Sequence, residues 1–111
     1  MTGGRVTVLA RVRARPGKEA EVRRLLRALV APSRAEAGCL NYDLHQSAAD
    51  PAEFMFYENW TSRAALDAHA ASPHLREFGA LGAGLLAAPV EITFWQMLSE
   101  GAAEKETNSD G

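Results

Sequence analysis

The chain has 111 residues, 47% of them hydrophobic and 23% charged, with a net charge of -2 and a single cysteine. That length suits one domain built around one core. No apolar run approaches the ~20 residues a membrane helix needs. Met1-Thr-Gly-Gly-Arg5 leads straight into a strand pattern with no signal-like apolar stretch, so a cytoplasmic location is expected. One cysteine excludes an internal disulfide and any Cys-rich metal cluster. Cys39, between Gly38 and Leu40, reads as a small core filler. Nine of the twelve basic residues fall between Arg5 and Arg34, interrupted by Glu19 and Glu21, a pattern of solvated helix faces rather than of a polyanion site. From Ser99 onward Glu100, Glu104, Glu106 and Asp110 outnumber Lys105. Residues 99–111 are therefore expected to be a disordered acidic tail after a domain over residues 1–98.

Arg5 to Arg13 alternates, with Val6, Val8, Ala10 and Val12 on one side, which predicts a strand. Arg15-Pro-Gly-Lys18 is a turn. Val22, Leu25, Leu26, Leu29 and Val30 recur at helical spacing, so a helix is predicted from about Lys18 to Ala31. Pro32 should end or kink it, with one more turn before a stop at Gly38. Cys39 to Gln46 is the second predicted strand, with Leu40, Tyr42 and Leu44 on one side. Ser47 to Ala52 forms a hairpin connection to a third, Glu53 to Trp60.

Thr61 and Ser62 offer capping hydroxyls for a short helix from Arg63 to Ala71, with Leu66 and His69 on one face. Ser72-Pro73 reads as a second start, because Pro at the first helical position loses no bond. Leu75, Phe78, Gly82, Leu85 and Leu86 continue a stripe that Pro89 stops, and Val90 to Leu98 is the last predicted strand. The order β-α-β-β-α-β predicts an α+β, ferredoxin-like sandwich with an antiparallel sheet and both helical segments on one face. The last two strands are apolar on both sides. A wet outer sheet face would not favour that, so a second copy is expected to cover it, giving a homodimer.

Chemistry-bearing residues gather at the corner between the third strand and the helices: Tyr57, Glu58, Trp60, His69 and His74. The same strand order serves RNA-recognition modules, but strand one lacks an aromatic and strand three lacks the Gly and basic residue of that pattern, so no nucleic-acid partner is expected. His69 and His74 are five apart across a capping break, not an i, i+4 zinc pair, and no third ligand is evident; Glu58 is the nearest candidate, and no metal is expected. No dinucleotide or P-loop fingerprint and no hydrolase triad is present. What remains is a small apolar pocket with titratable groups at its mouth.

Arg15-Pro-Gly-Lys-Glu-Ala-Glu-Val22, Glu36-Ala-Gly-Cys-Leu-Asn-Tyr42, Tyr57-Glu-Asn-Trp60, Leu66-Asp-Ala-His69 and Ser72-Pro-His74 occur in this order. Together they resemble the antibiotic biosynthesis monooxygenase family, the small quinol and anthrone oxygenases. The resemblance implies a dimer of ferredoxin-like subunits, a cavity between sheet and helices, and no cofactor. Similar domains also degrade haem, with an Asn on strand one, a Trp ending strand three and a His ligand on the second helical segment. Trp60 matches the Trp, but the other two positions fall at Ala10 and near Gly79, which disfavours haem.

The expected reaction is oxygenation of a small aromatic substrate by dioxygen. His69 or His74 would be the base, since imidazole titrates near neutral pH. Trp60 would stack on the ring, and Asn41, Tyr57, Glu58 and Arg11 are candidates for binding substrate. Two alternatives stay open: an isomerase of a small oxygenated substrate, and a non-catalytic ligand-binding dimer. Arg11 discriminates, because a phosphate substrate requires a cation inside the cavity.

Overall fold

The computed structural model describes residues 4–99. The chain runs β1 (Val6–Arg13), α1 (Glu19–Ala28), α2 (Val30–Arg34), β2 (Cys39–Gln46), β3 (Glu53–Trp60), α3 (Arg63–Ala70), α4 (Pro73–Gly82) and β4 (Glu91–Trp95). The four strands form one antiparallel sheet in the order β2-β3-β1-β4. This is the α+β ferredoxin-like arrangement. Among the described residues no helix is long and apolar enough to cross a membrane. The expected acidic tail lies outside the described residues, apart from Ser99.

Strand period decides which residues meet the helices. Val8, Ala10 and Val12 of β1 and Phe54, Phe56, Glu58 and Trp60 of β3 are all buried on the helix side. Tyr42 joins them from β2, opposite Glu58 in the register. Val22 and Leu26 of α1 and Leu66 and Phe78 of α3 and α4 close the layer from the other side. The neighbouring strand positions (Leu9, Arg11, Met55, Tyr57, Thr93, Trp95) therefore take the opposite sheet face, since successive side chains alternate.

The helical elements differ from expectation at three points. The first long helix breaks at Leu29, before Pro32 rather than at it. Pro32 cannot donate to Ala28, four residues back, and its ring crowds that carbonyl. The chain accordingly ends α1 at Ala28 and restarts as α2, which includes Pro32. The stripe after Phe78 stops at Gly82, and Leu86 instead bridges to Ala14. β4 spans only Glu91–Trp95, so Met97 and Leu98 lie beyond it, exposed at 41% and 91%. Leu40 also departs from the expected inward row: a register shift between Cys39 and Asn41 makes it the extra residue of a bulge, half exposed. Cys39 is only partly buried.

The corner at α3 and α4 forms as the capping residues predict. Ser62 Oγ accepts from the Ala65 amide at 3.1 Å. Ser72 Oγ accepts from the Leu75 amide, and Pro73 opens α4. Gly38 has a packing role: a Cβ there would collide with Ala65 and Thr61, so its bare backbone lets α3 sit against the start of β2. The Gly38 carbonyl accepts from the Thr61 amide at 2.9 Å, tying the two together.

Candidate functional site

A cavity of about 550 Å³ lies between the sheet and the helices. Val8, Ala10, Val12 and Phe56 form its sheet wall, and Leu26, Leu66 and Phe78 its helix wall. Ile92 and Phe94 stand half exposed at its open edge. Arg63 lies at that mouth, its guanidinium 4.9 Å from the Phe94 ring centre and its Nε 3.1 Å from Asp67 Oδ1. Deeper in, the titratable groups on the wall are Glu58, Tyr42 and His69, all buried.

Glu58 and Trp60 are two apart on β3, so both point to the helix side. Trp60 Nε1–H donates to Glu58 Oε1 at 2.9 Å. Burial pushes the Glu58 carboxyl up to about 7; the Trp60 hydrogen bond opposes this rise and the charge of Glu36 adds to it. Burial likewise holds the Tyr42 phenol well above its usual range, so it stays neutral.

His69 occupies the last turn of α3. Its ring packs against Trp60, centres 4.5 Å apart, with Tyr42 edge-on at 5.1 Å. Its Nδ1 lies 2.8 Å from Glu36 Oε2, and His74 Nε2 lies 2.8 Å from the same oxygen. A carboxylate oxygen only accepts, so both rings donate to it. That fixes the His69 proton on Nδ1 and leaves Nε2 as an acceptor. Burial lowers the His69 pKa despite Glu36 raising it, which keeps the ring neutral. Among the described residues, Ser33 Oγ is the sole side-chain N or O atom both sealed from solvent and unpartnered. His69 Nε2 and Glu58 Oε2, which make no protein hydrogen bond, therefore border open space.

Two sequence candidates, Glu58 and His69, thus share the cavity. Trp60 lies behind them, 0% exposed, with no face free to stack on a substrate; it supports His69 and anchors Glu58. His74 does not line the cavity and acts on Glu36. Asn41, Tyr57 and Arg11 lie on the opposite sheet face, because each is one residue out of phase with the inward row. The Asn41 amide is engaged by Asp43, the Tyr57 carbonyl and Asn59. Arg11 stands 3.6 Å from Glu53. None of these three can bind a substrate held in this cavity.

Glu36 escaped the sequence reading. It lies 33 residues from His69 in a charged stretch and looks like a solvated acid; its place in the Glu36–Tyr42 motif was the available signal. It also supplies the third ligand-type side chain that was not evident in the sequence. Glu36, His69 and His74 are the one group of three or more His, Cys, Asp or Glu among the described residues whose candidate ligand atoms lie within 4.8 Å of one another. Gly79, at the expected haem-ligand position on the cavity wall, has no side chain to bind iron, and Ala10, at the expected Asn position, has none to hydrogen-bond.

The raised Glu58 pKa has a measurable sign. Between its ordinary value near 4.5 and about 7 the folded chain binds more protons than the unfolded one, so Glu58 makes stability fall as pH rises through that window. Denaturant melts should show wild type losing up to about 3 kcal/mol from this group between pH 5 and 8. Glu58→Gln should flatten that slope; an unchanged slope would mean the carboxyl titrates normally.

The family model described as "Antibiotic biosynthesis monooxygenase" matches residues 5–81. A protein of Mycobacterium tuberculosis named "Putative monooxygenase Rv0793" is 43% identical over 98 residues, covering 88% of this chain and 96% of its own. "Putative monooxygenase YcnE" of Bacillus subtilis is 32% identical over 87 residues, covering 78% and 92%. The crystal structure of PA3566 from Pseudomonas aeruginosa superposes with a TM-score of 0.83 at 41% identity, over 89% of this chain and 99% of that one. The matched family and the names of these relatives support a monooxygenase-type activity. This chain belongs to the antibiotic biosynthesis monooxygenase family.

Proposed function

We propose that the chain is a cofactor-independent monooxygenase that oxidises a quinol, anthrone or related polycyclic aromatic with dioxygen, acting as a homodimer. One observation carries the reading: an apolar cavity of about 550 Å³ whose buried wall carries a carboxyl with a raised pKa and a neutral imidazole with a free nitrogen. Cavities of roughly 300–1,000 Å³ suit compact organic ligands. Aliphatic and aromatic walls suit a fused aromatic better than a sugar.

Dioxygen is a triplet and reacts slowly with closed-shell molecules, but an electron-rich aromatic anion can give it one electron. His69 Nε2 takes the proton that generates the anion. The substrate radical and superoxide combine, forming a C–O bond. The imidazolium returns its proton to the resulting peroxide, and the O–O bond breaks with loss of water. An activated CH2 and O2 thus become C=O and H2O. Glu58, when protonated, donates a hydrogen bond from Oε2 to a substrate oxygen; Trp60 fixes its position through Oε1. His74 positions Glu36, and through it His69.

The isomerase alternative is not favoured by Arg11, which lies on the other sheet face; the cation at the cavity mouth is Arg63, paired through Nε with Asp67 and set over Phe94. The homodimer is supported by exposed apolar side chains on and beyond β4, including Trp95 at 58% exposure, which a second copy would cover.

Oxygen uptake by metal-stripped protein with a panel of hydroquinones and anthrones tests the activity against autoxidation without protein. The expected result is a protein-dependent rate that falls by about 100-fold or more in His69→Ala. Uptake no faster than autoxidation across the panel would reduce the reading to the ligand-binding alternative. Sedimentation should show a dimer that Trp95→Glu dissociates; a wild-type monomer at micromolar concentration would remove the dimer from the account.

A further inference from the structure

The cavity chemistry uses His69 alone, yet a second imidazole is aimed at the same carboxylate oxygen. Glu36 comes from the connection between α2 and β2, His69 from the end of α3 and His74 from the start of α4. The break at Ala71 and Ser72 brings two histidines five residues apart onto one acceptor. Each ring nitrogen lies 2.8 Å from Glu36 Oε2. Two ligands bound at about 2.0–2.1 Å to a tetrahedral ion stand about 3.3 Å apart. The three candidate ligand atoms lie within 4.8 Å of one another, so a separation of a few tenths of an ångström between each ring and the shared oxygen would admit an ion among them.

We propose that Glu36, His69 and His74 bind a borderline divalent cation of the zinc kind, through the Glu36 carboxylate, His69 Nδ1 and His74 Nε2. Two imidazoles and one carboxylate suit zinc, cobalt(II) or nickel(II); calcium and magnesium prefer oxygen donors throughout. Three protein ligands leave a position for water, and the Glu36 and His74 side chains, 17% and 21% exposed, open the site to solvent. The ion takes the lone pair at Nδ1 of His69, so the ring proton moves to Nε2. The loaded chain then presents the cavity with a donor where the free chain presents an acceptor. The ion sits on the nitrogen turned away from the cavity, and by leaving Nε2 protonated it would silence His69 as the proposed base; binding itself is read without turnover, so its failure is distinguishable from failure of the proposed reaction.

Zinc and cobalt(II) titrations of metal-stripped protein test this. Calorimetry should show a single equivalent of zinc per chain, and cobalt(II) should develop visible bands of a low-coordinate site. Glu36→Gln and His74→Ala should each weaken binding by at least about 100-fold, beyond what loss of a supporting residue costs. Nitrogen NMR of wild type alone provides a readout that needs no variant. Of the three histidines, His69 should change from Nδ1–H to Nε2–H and His74 should shift with it, while exposed His45 stays unchanged. Absence of binding at millimolar zinc, or equal binding by both variants with no shift at His69, would overturn the site.

Discussion

The two-residue period of β3 is the constraint on which the rest depends. It sends Phe54, Phe56, Glu58 and Trp60 to the helices and Met55, Tyr57 and Asn59 to the other face. One carboxylic acid is thereby placed in an otherwise apolar and aromatic row, opposite Val8 and Tyr42 in the register. Trp60 holds one Glu58 oxygen at 2.9 Å, which makes burial tolerable without making the charge comfortable. The same Trp60 ring is the surface on which His69 rests. Strand geometry thus sets the acid, its tether and the platform for the base.

The helices complete the arrangement through their interruptions. A continuous helix from Arg63 to Gly82 would place positions 69 and 74 about 140° apart around its axis, since each residue turns about 100°. The caps at Ser62 and Ser72 divide it into two short segments, and both histidines then reach Glu36. Gly38 lets α3 approach closely enough for this. Two residues upstream of that contact, Glu36 joins the first half of the chain to the second. Substitution there should be felt at His69 more than in the core, because the Glu36 side chain hydrogen-bonds only to the two histidines.

Much of this was legible in the sequence. Alternation placed β1 and β2, apolar runs between turn signals placed β3 and an overlong β4, and hydroxyl caps, joined by Pro73 at α4, placed the α3 and α4 starts. Glu58 and His69 stood out as polar groups on apolar faces. Asn41, Tyr57 and Arg11 were drawn to the site by residue type, while their strand phase already excluded them. Trp60 was read as a ring awaiting substrate, but a Trp in the inward row at a strand end is enclosed by its neighbours. Glu36 could not be found by spacing, because tertiary packing alone brings it to partners 33 and 38 residues away. The Pro32 break was displaced by one turn because proline acts on the carbonyl four residues before it.

The central claim is that the cavity ionises a bound aromatic through His69 before oxygen acts. Anaerobic titration of the metal-stripped protein with an anthrone, followed by absorption, isolates that step from later chemistry. The account predicts the red-shifted spectrum of the bound anion at a pH where free ligand is neutral, and the neutral spectrum in His69→Ala. A wild-type complex that binds the ligand but shows only its neutral spectrum would contradict it.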